Sequence, residues 1–168
     1  MKYGDAIGCL SGLAAQMRLH NACVLLLVLG MVAACGPSQE EMDGKFVDAA
    51  KSGDLAEAQR LLQEGAHLDA RDAKHGSPAV VWAAHEGHVD VLNMLLDAGG
   101  EIEIAAKGKN DTALWYAAQQ GQLSTAQILI DRGANTNPIG PDGTSAVAIA
   151  ENNGYPAIAT LLKAHGGH

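Results

Sequence analysis

Between Leu55 and Ile130 the apolar residues recur at three- and four-residue steps, the spacing of one helix face. Leu55, Ala58, Leu61 and Leu62 make one stripe; Val89, Leu92, Leu95 and Leu96 make a second; Leu123, Ala126, Leu129 and Ile130 make a third. Each stripe predicts a short helix. Another short helix is predicted ahead of each, marked by a patch of small residues: Ala49-Ala50, Ala83-Ala84 and Ala117-Ala118. Glycines punctuate both kinds of helix. Gly53, Gly87, Gly121 and Gly154 end the first of each pair, and Gly65, Gly99, Gly133 and Gly166 end the second; both series step by 34, 34 and 33 residues. Helices often end in left-handed backbone, where glycine is favoured because a side chain is strained. Two sets of marks in one register define a repeat, and a helix pair cannot bury its apolar stripe alone, so neighbouring pairs must stack.

The pattern predicts an all-α repeat solenoid of about four repeats, spanning roughly 45–75, 76–109, 110–142 and 143–168. The leucine pairs Leu61-Leu62 and Leu95-Leu96 are the expected stability anchors, since burying one leucine is worth roughly 1.5–3 kcal/mol. In the last repeat Lys163 stands where Leu62, Leu96 and Ile130 stand before it, the charge that a capping repeat requires, so the array is expected to end there. The connectors, Ala66–Gly76, Gly100–Asn110 and Ala134–Gly143, carry turn formers such as Gly108, Asn137-Pro138 and Gly140-Pro141-Asp142-Gly143. Gly100-Glu101-Ile102-Glu103-Ile104 alternates as a short strand would.

From about Asp43 onward the chain resembles the ankyrin-repeat family. That family's T-P-L-H-x-A-A-x-x-G pattern is followed by Thr112-Ala113-Leu114-Trp115-Tyr116-Ala117-Ala118-Gln119-Gln120-Gly121. It is followed less closely from Pro78 to Gly87 and from Ser145 to Gly154, and in the first repeat only through Phe46, Ala49-Ala50 and Gly53. The resemblance implies connectors shaped as β-hairpin fingers and binding of a protein partner on the concave face made by finger tips and first helices. By position that face would take His75, Ser77, Trp82, His85 and Glu86, then Lys109, Asp111, Tyr116, Gln119 and Gln120, then Asp142, Thr144, Asn152 and Asn153. Trp82 and Tyr116 share one slot 34 residues apart, so their rings are expected to be neighbours, either as exposed anchors or as partial core. Trp115 occupies the slot of the family's buried histidine and is expected to pack inside.

The N-terminal stretch reads differently. The apolar run Ala22–Ala34 holds 13 residues, short for a membrane span of about 20 and suited to a signal-peptide core, with Arg18 as its positive flank. Residues 1–34 are therefore expected to be a signal peptide, with Met17 an alternative start to Met1. Val32-Ala33-Ala34-Cys35 resembles the bacterial lipoprotein cleavage motif, which implies a lipid on the Cys35 thiol; an ordinary cleavage site beside a stray cysteine is the other reading. Cysteine usage favours lipidation, since Cys9 and Cys23 would leave with the signal and Cys35 would remain alone. Residues 35–44 would be the lipidated cysteine and a short tether, with Gly36–Gly44 reaching at most about 30 Å. Ser38 and Glu41 form a possible capping box, so part of that tether is open to a helical turn. Gly36 after the cysteine resembles the sorting signal for the outer membrane, facing the periplasm.

The full chain of 168 residues carries 11 basic and 19 acidic side chains, a formal charge of −8, which argues against a nucleic-acid partner. Without Lys2, Arg18 and Asp5 it would carry 9 basic against 18 acidic. No catalytic constellation stands out. His85-Glu86-Gly87-His88 only superficially resembles a zinc-protease motif, which needs two histidines four apart on one helix; here they are three apart and Gly87 interrupts them. His88 matches the family position where a ring braces the loop. The expectation is thus a monomeric, non-enzymatic, lipid-anchored binding module with no cofactor and no metal. Its partner is expected to be an envelope enzyme, a toxin that it neutralises, or a stress-defence protein. A structural spacer and a metal-handling or enzymatic accessory are the alternatives.

Overall fold

The computed structural model describes residues 38–106 and 112–168. The segment expected to be a signal peptide, Cys35, Lys109 and Asp111 lie outside the described residues. Gln39–His168 forms one compact unit. Within it are eight helices in four pairs: α1 Gln39–Ser52 and α2 Leu55–Gln63, α3 Ala79–Glu86 and α4 Val89–Asp97, α5 Ala113–Gln120 and α6 Leu123–Asp131, α7 Ala146–Asn152 and α8 Pro156–Ala164. The first helices α1, α3, α5 and α7 pack successively on one another, and so do the second helices α2, α4, α6 and α8. The first-helix stack is the tighter of the two. Its small residues explain this: Ala50, Ala83, Ala84, Ala117, Ala118 and Ala150 are wholly buried, and a methyl lets two backbones approach where a longer side chain would hold them apart.

The repeat register holds in the backbone. Gly53, Gly87, Gly121 and Gly154, with Gly65, Gly99, Gly133 and Gly166, all adopt positive φ between 77° and 105°. The first three of the first set also receive the next repeat. A Cβ on Gly53 would stand 2.6 Å from the His88 ring, one on Gly87 2.3 Å from the Gln122 amide, and one on Gly121 2.5 Å from the Tyr155 ring. His88, Gln122 and Tyr155 are the N-caps of α4, α6 and α8, so each pair leans a side chain over the glycine of the pair before it. His88 Nε2 also lies 3.0 Å from the Lys51 carbonyl, the bracing role expected of it.

Leu61, Leu95, Leu129 and Leu162 form the buried file along the second helices. The second member of each expected anchor pair, Leu62 and Leu96, is only half-buried at the edge of the core. Leu123 departs further, at 45% exposed, because it opens its helix where no neighbour covers it. Lys163, in the corresponding slot of the last pair, is exposed and paired with Glu151.

Two further expectations change. The first helix begins at Gln39, before the expected domain start at residue 45, because Met42 and Phe46 face the core and draw the supposed tether into α1. Gly100–Ile104 is not a strand. Residues 102 and 103 form a turn closed by the Ile104 N–H to the Glu101 carbonyl at 3.3 Å, and Ile104 is buried while Ile102 packs on the core edge. Alternation along this segment came from a turn that puts both isoleucines inward. Fingers of the expected kind do close elsewhere, through the antiparallel bridges Arg71 to Pro78 and Ile139 to Ser145.

Candidate functional site

Asp72, at the base of the first finger, organises the groups around it. One carboxylate oxygen accepts the Ser77 backbone N–H at 2.7 Å and the Trp82 indole N–H at 3.3 Å. The other takes the His75 backbone N–H at 2.8 Å and lies 2.8 Å from His75 Nδ1. Partial burial works against its ionisation, but these hydrogen bonds outweigh that and hold the carboxyl below its usual range. Gly76, at φ 67°, supplies the left-handed turn that lets the finger fold back on Asp72. Arg71 ties the finger down by donating to the Gly76 carbonyl and to the Ala105 carbonyl of the next connector, both at 2.8 Å.

A row of rings runs from that finger across the first helices. His75 meets Trp82 edge to face at 5.5 Å between centroids, Trp82 meets His85 at 5.6 Å, His85 meets Tyr116 at 5.6 Å, and Tyr116 meets Trp115 at 5.3 Å. Such T-shaped contacts set the positive edge of one ring on the negative face of the next. The expected direct pairing of Trp82 with Tyr116 is therefore replaced by a relay, because His85, one turn along α3 from Trp82, stands between them. Trp82 and Tyr116 are both half-buried: their inner edges rest on the core and their outer edges line the surface. Trp115 packs inside as expected, 3% exposed, and donates its indole N–H to the Thr144 carbonyl at 3.0 Å.

His85 is fixed on both nitrogens. Nδ1 lies 3.0 Å from Glu86 Oε1 and Nε2 lies 2.9 Å from Gln120 Nε2. A carboxylate only accepts and an amide NH2 only donates, so the two contacts suit opposite ends of one imidazole. His75, Ser77, Val81, Trp82, His85 and Tyr116 enclose a recess of about 70 Å³. That is room for the tip of one side chain, well below the roughly 300–1,000 Å³ of a small-molecule or cofactor site.

The other expected site residues divide. Ser77 is 5% exposed and reaches the surface only as a wall of that recess; the fold over Asp72 has drawn it in. Thr144 is half-buried, and its carbonyl accepts from Trp115. Asp142 is exposed but caps its own loop, accepting the Thr144 N–H at 3.0 Å, and this hydrogen bond lowers its pKa. Asn153 donates to the Gln119 carbonyl at 2.9 Å and so joins α7 to α5. Asn152 is exposed beside it. The fourth-repeat residues thus mostly brace the stack, while His75, Trp82, His85, Glu86, Tyr116 and Gln120 converge.

Among the residues at the site that the sequence did not mark are Asp72 and Lys51. Asp72 left a readable signal, an Asp three residues ahead of His75-Gly76-Ser77 in a turn-rich stretch. Lys51 left none: it belongs to α1 of the first pair, and only the stack brings its ammonium 4.2 Å from the Trp82 ring centroid.

The family model described as ankyrin repeats in three copies matches residues 46–139 and again 103–168. No curated protein matches the chain. With four helix pairs in one register and a family match across most of its length, the chain belongs to the ankyrin-repeat family.

Proposed function

We propose that this protein is a membrane-anchored, periplasm-facing interaction module that holds one protein partner across its first helices and fingers. The observation that carries the reading is the row of half-exposed rings from His75 to Tyr116. Trp and Tyr are the commonest interface anchors, and here they flank a recess sized for a partner side chain. Anchoring rests on the sequence alone, through the cleavage motif ending at Cys35. Two or more acyl chains on that cysteine would make the anchor stable. An envelope enzyme, a neutralised toxin and a stress-defence protein are the partner classes in view.

Capture from an envelope extract tests the reading. The chain from Gly36 onward is immobilised beside a variant carrying Trp82→Ala and Tyr116→Ala, with folding of both checked by circular dichroism. One protein retained by the parent and lost by the variant is expected. Equal retention would move the site off the aromatic row. Separately, labelled palmitate should enter the full chain in a bacterial host and fail to enter the Cys35→Ser variant.

A further inference from the structure

We infer that the surface around Trp82 receives an acidic loop of the partner protein, one apolar side chain entering the ring-lined recess and a neighbouring carboxylate meeting Lys51 and Lys74. The inference rests on the binding reading above and names the partner's chemistry.

Two recesses meet at this point and share His75 and Trp82 as walls. The first is the ring-lined one. The second is lined on its charged side by Asp48, Lys51, Asp72 and Lys74. The cations elsewhere among the described residues are committed. Lys45 pairs with Glu41, Arg60 with Glu57 and Glu64, Arg132 with Asp97, and Lys163 with Glu151. Arg71 is held by two backbone carbonyls. Lys51 and Lys74, both exposed, have no carboxylate partner among the described residues. Carboxylates are not scarce in a chain with 19 acidic residues against 11 basic ones.

The local acids do not satisfy these two ammoniums. Both oxygens of Asp72 are already occupied by Ser77, His75 and Trp82. Asp48 is exposed on the rim, one carboxylate against two ammoniums. Lys51 rests over the Trp82 ring, an exposed cation–π contact that a carboxylate can join without displacing it. The overall charge of −8 does not forbid the docking, because charges are screened over roughly 8 Å at physiological salt and the contact itself is decided locally. An apolar tip in the recess with a charge pair at its rim is also the ordinary layout of an interface, anchor at the centre and polar groups around it.

Three peptides of equal length test this, each with a central leucine flanked by glutamates, glutamines or lysines. They are titrated into the full chain labelled with 15N while the Trp82 indole N–H resonance, assigned with Trp82→Phe, is followed. The glutamate peptide is expected to shift that resonance and to bind on the order of tenfold tighter than the glutamine peptide. The advantage should shrink with added salt and vanish in the Lys51→Gln, Lys74→Gln variant, whose exposed substitutions leave the fold intact by circular dichroism. Equal affinity for the glutamate and glutamine peptides, or tightest binding of the lysine peptide, overturns the acidic partner and leaves the recess as a binding face. A Trp82 resonance unmoved by all three overturns the recess as the docking point. Partner capture that still depends on Trp82 and Tyr116 would then leave the broader function standing.

Discussion

Asp72 accepts hydrogen bonds from a finger backbone, a histidine and an indole with its two oxygens, and Asp43 plays the same part near the first finger's start. Asp43 receives the His67 backbone N–H at 2.8 Å, lies 2.8 Å from His67 Nδ1, and accepts the Gln39 amide at 3.0 Å. In both carboxyls burial opposes ionisation and is outweighed by these donors, so the folded pKa lies below the ordinary 3.8. A depressed folded pKa adds stability that is complete above the unfolded value and is lost as pH falls through the folded one. Urea unfolding should therefore show stability falling below about pH 4, with a shallower acid slope in Asp72→Asn. Thr125 makes the opposite prediction. Its hydroxyl is buried with no partner among the described residues, in a slot where neighbouring repeats carry Val91 and Ile158. Thr125→Val keeps the shape and removes an unsatisfied group, so it should raise unfolding free energy by about 1 kcal/mol.

At the scale of the element, each helix pair is held by one leucine more than by two. Leu95 is fully buried and Leu96 half-buried, so Leu95→Ala should cost about 2–5 kcal/mol and Leu96→Ala distinctly less, as read by denaturant melts. Between pairs the contact is the leaning side chain. Gly121→Ala would strain a backbone at φ 78° and drive a methyl into the Tyr155 ring, so thermal unfolding should come several degrees earlier. The last pair is tied differently. Asn137 accepts the His168 N–H at 2.9 Å and donates to the Gly166 carbonyl at 3.2 Å, while Thr136 donates to the His165 carbonyl at 3.1 Å. The third finger thus binds the end of α8 to the pair before it.

Across the whole described unit, stability is a sum over neighbours, as expected when each pair touches only the pairs beside it. Removing α7 and α8 would uncover Leu129 and Ile130 without supplying a charge such as Lys163 to face water. A chain ending before α7 should self-associate on size-exclusion chromatography, whereas replacing Lys163 by Gln should leave it as before.

The sequence by itself determined the period, the helix pairs and the places where they end. Those depend on local chemistry: glycines at left-handed positions, apolar residues at helical spacing, small residues where backbones meet. Its resemblance to the ankyrin-repeat family marked His75, Trp82, His85, Glu86, Tyr116 and Gln120 for one surface, and the 34-residue spacing set Trp82 and Tyr116 in one slot. Only the tertiary structure decided which of the marked residues converge on the ring-lined recess. Ser77 is drawn inward by Asp72, Asn153 is spent on the Gln119 carbonyl, and His85 stands between two rings that the period alone set side by side. Lys51 reached Trp82 from another repeat with no spacing to announce it. The Gly100–Ile104 turn was misread for the same reason: alternation is a one-dimensional signal, and which side of a connector is buried is set by the helices it lies against.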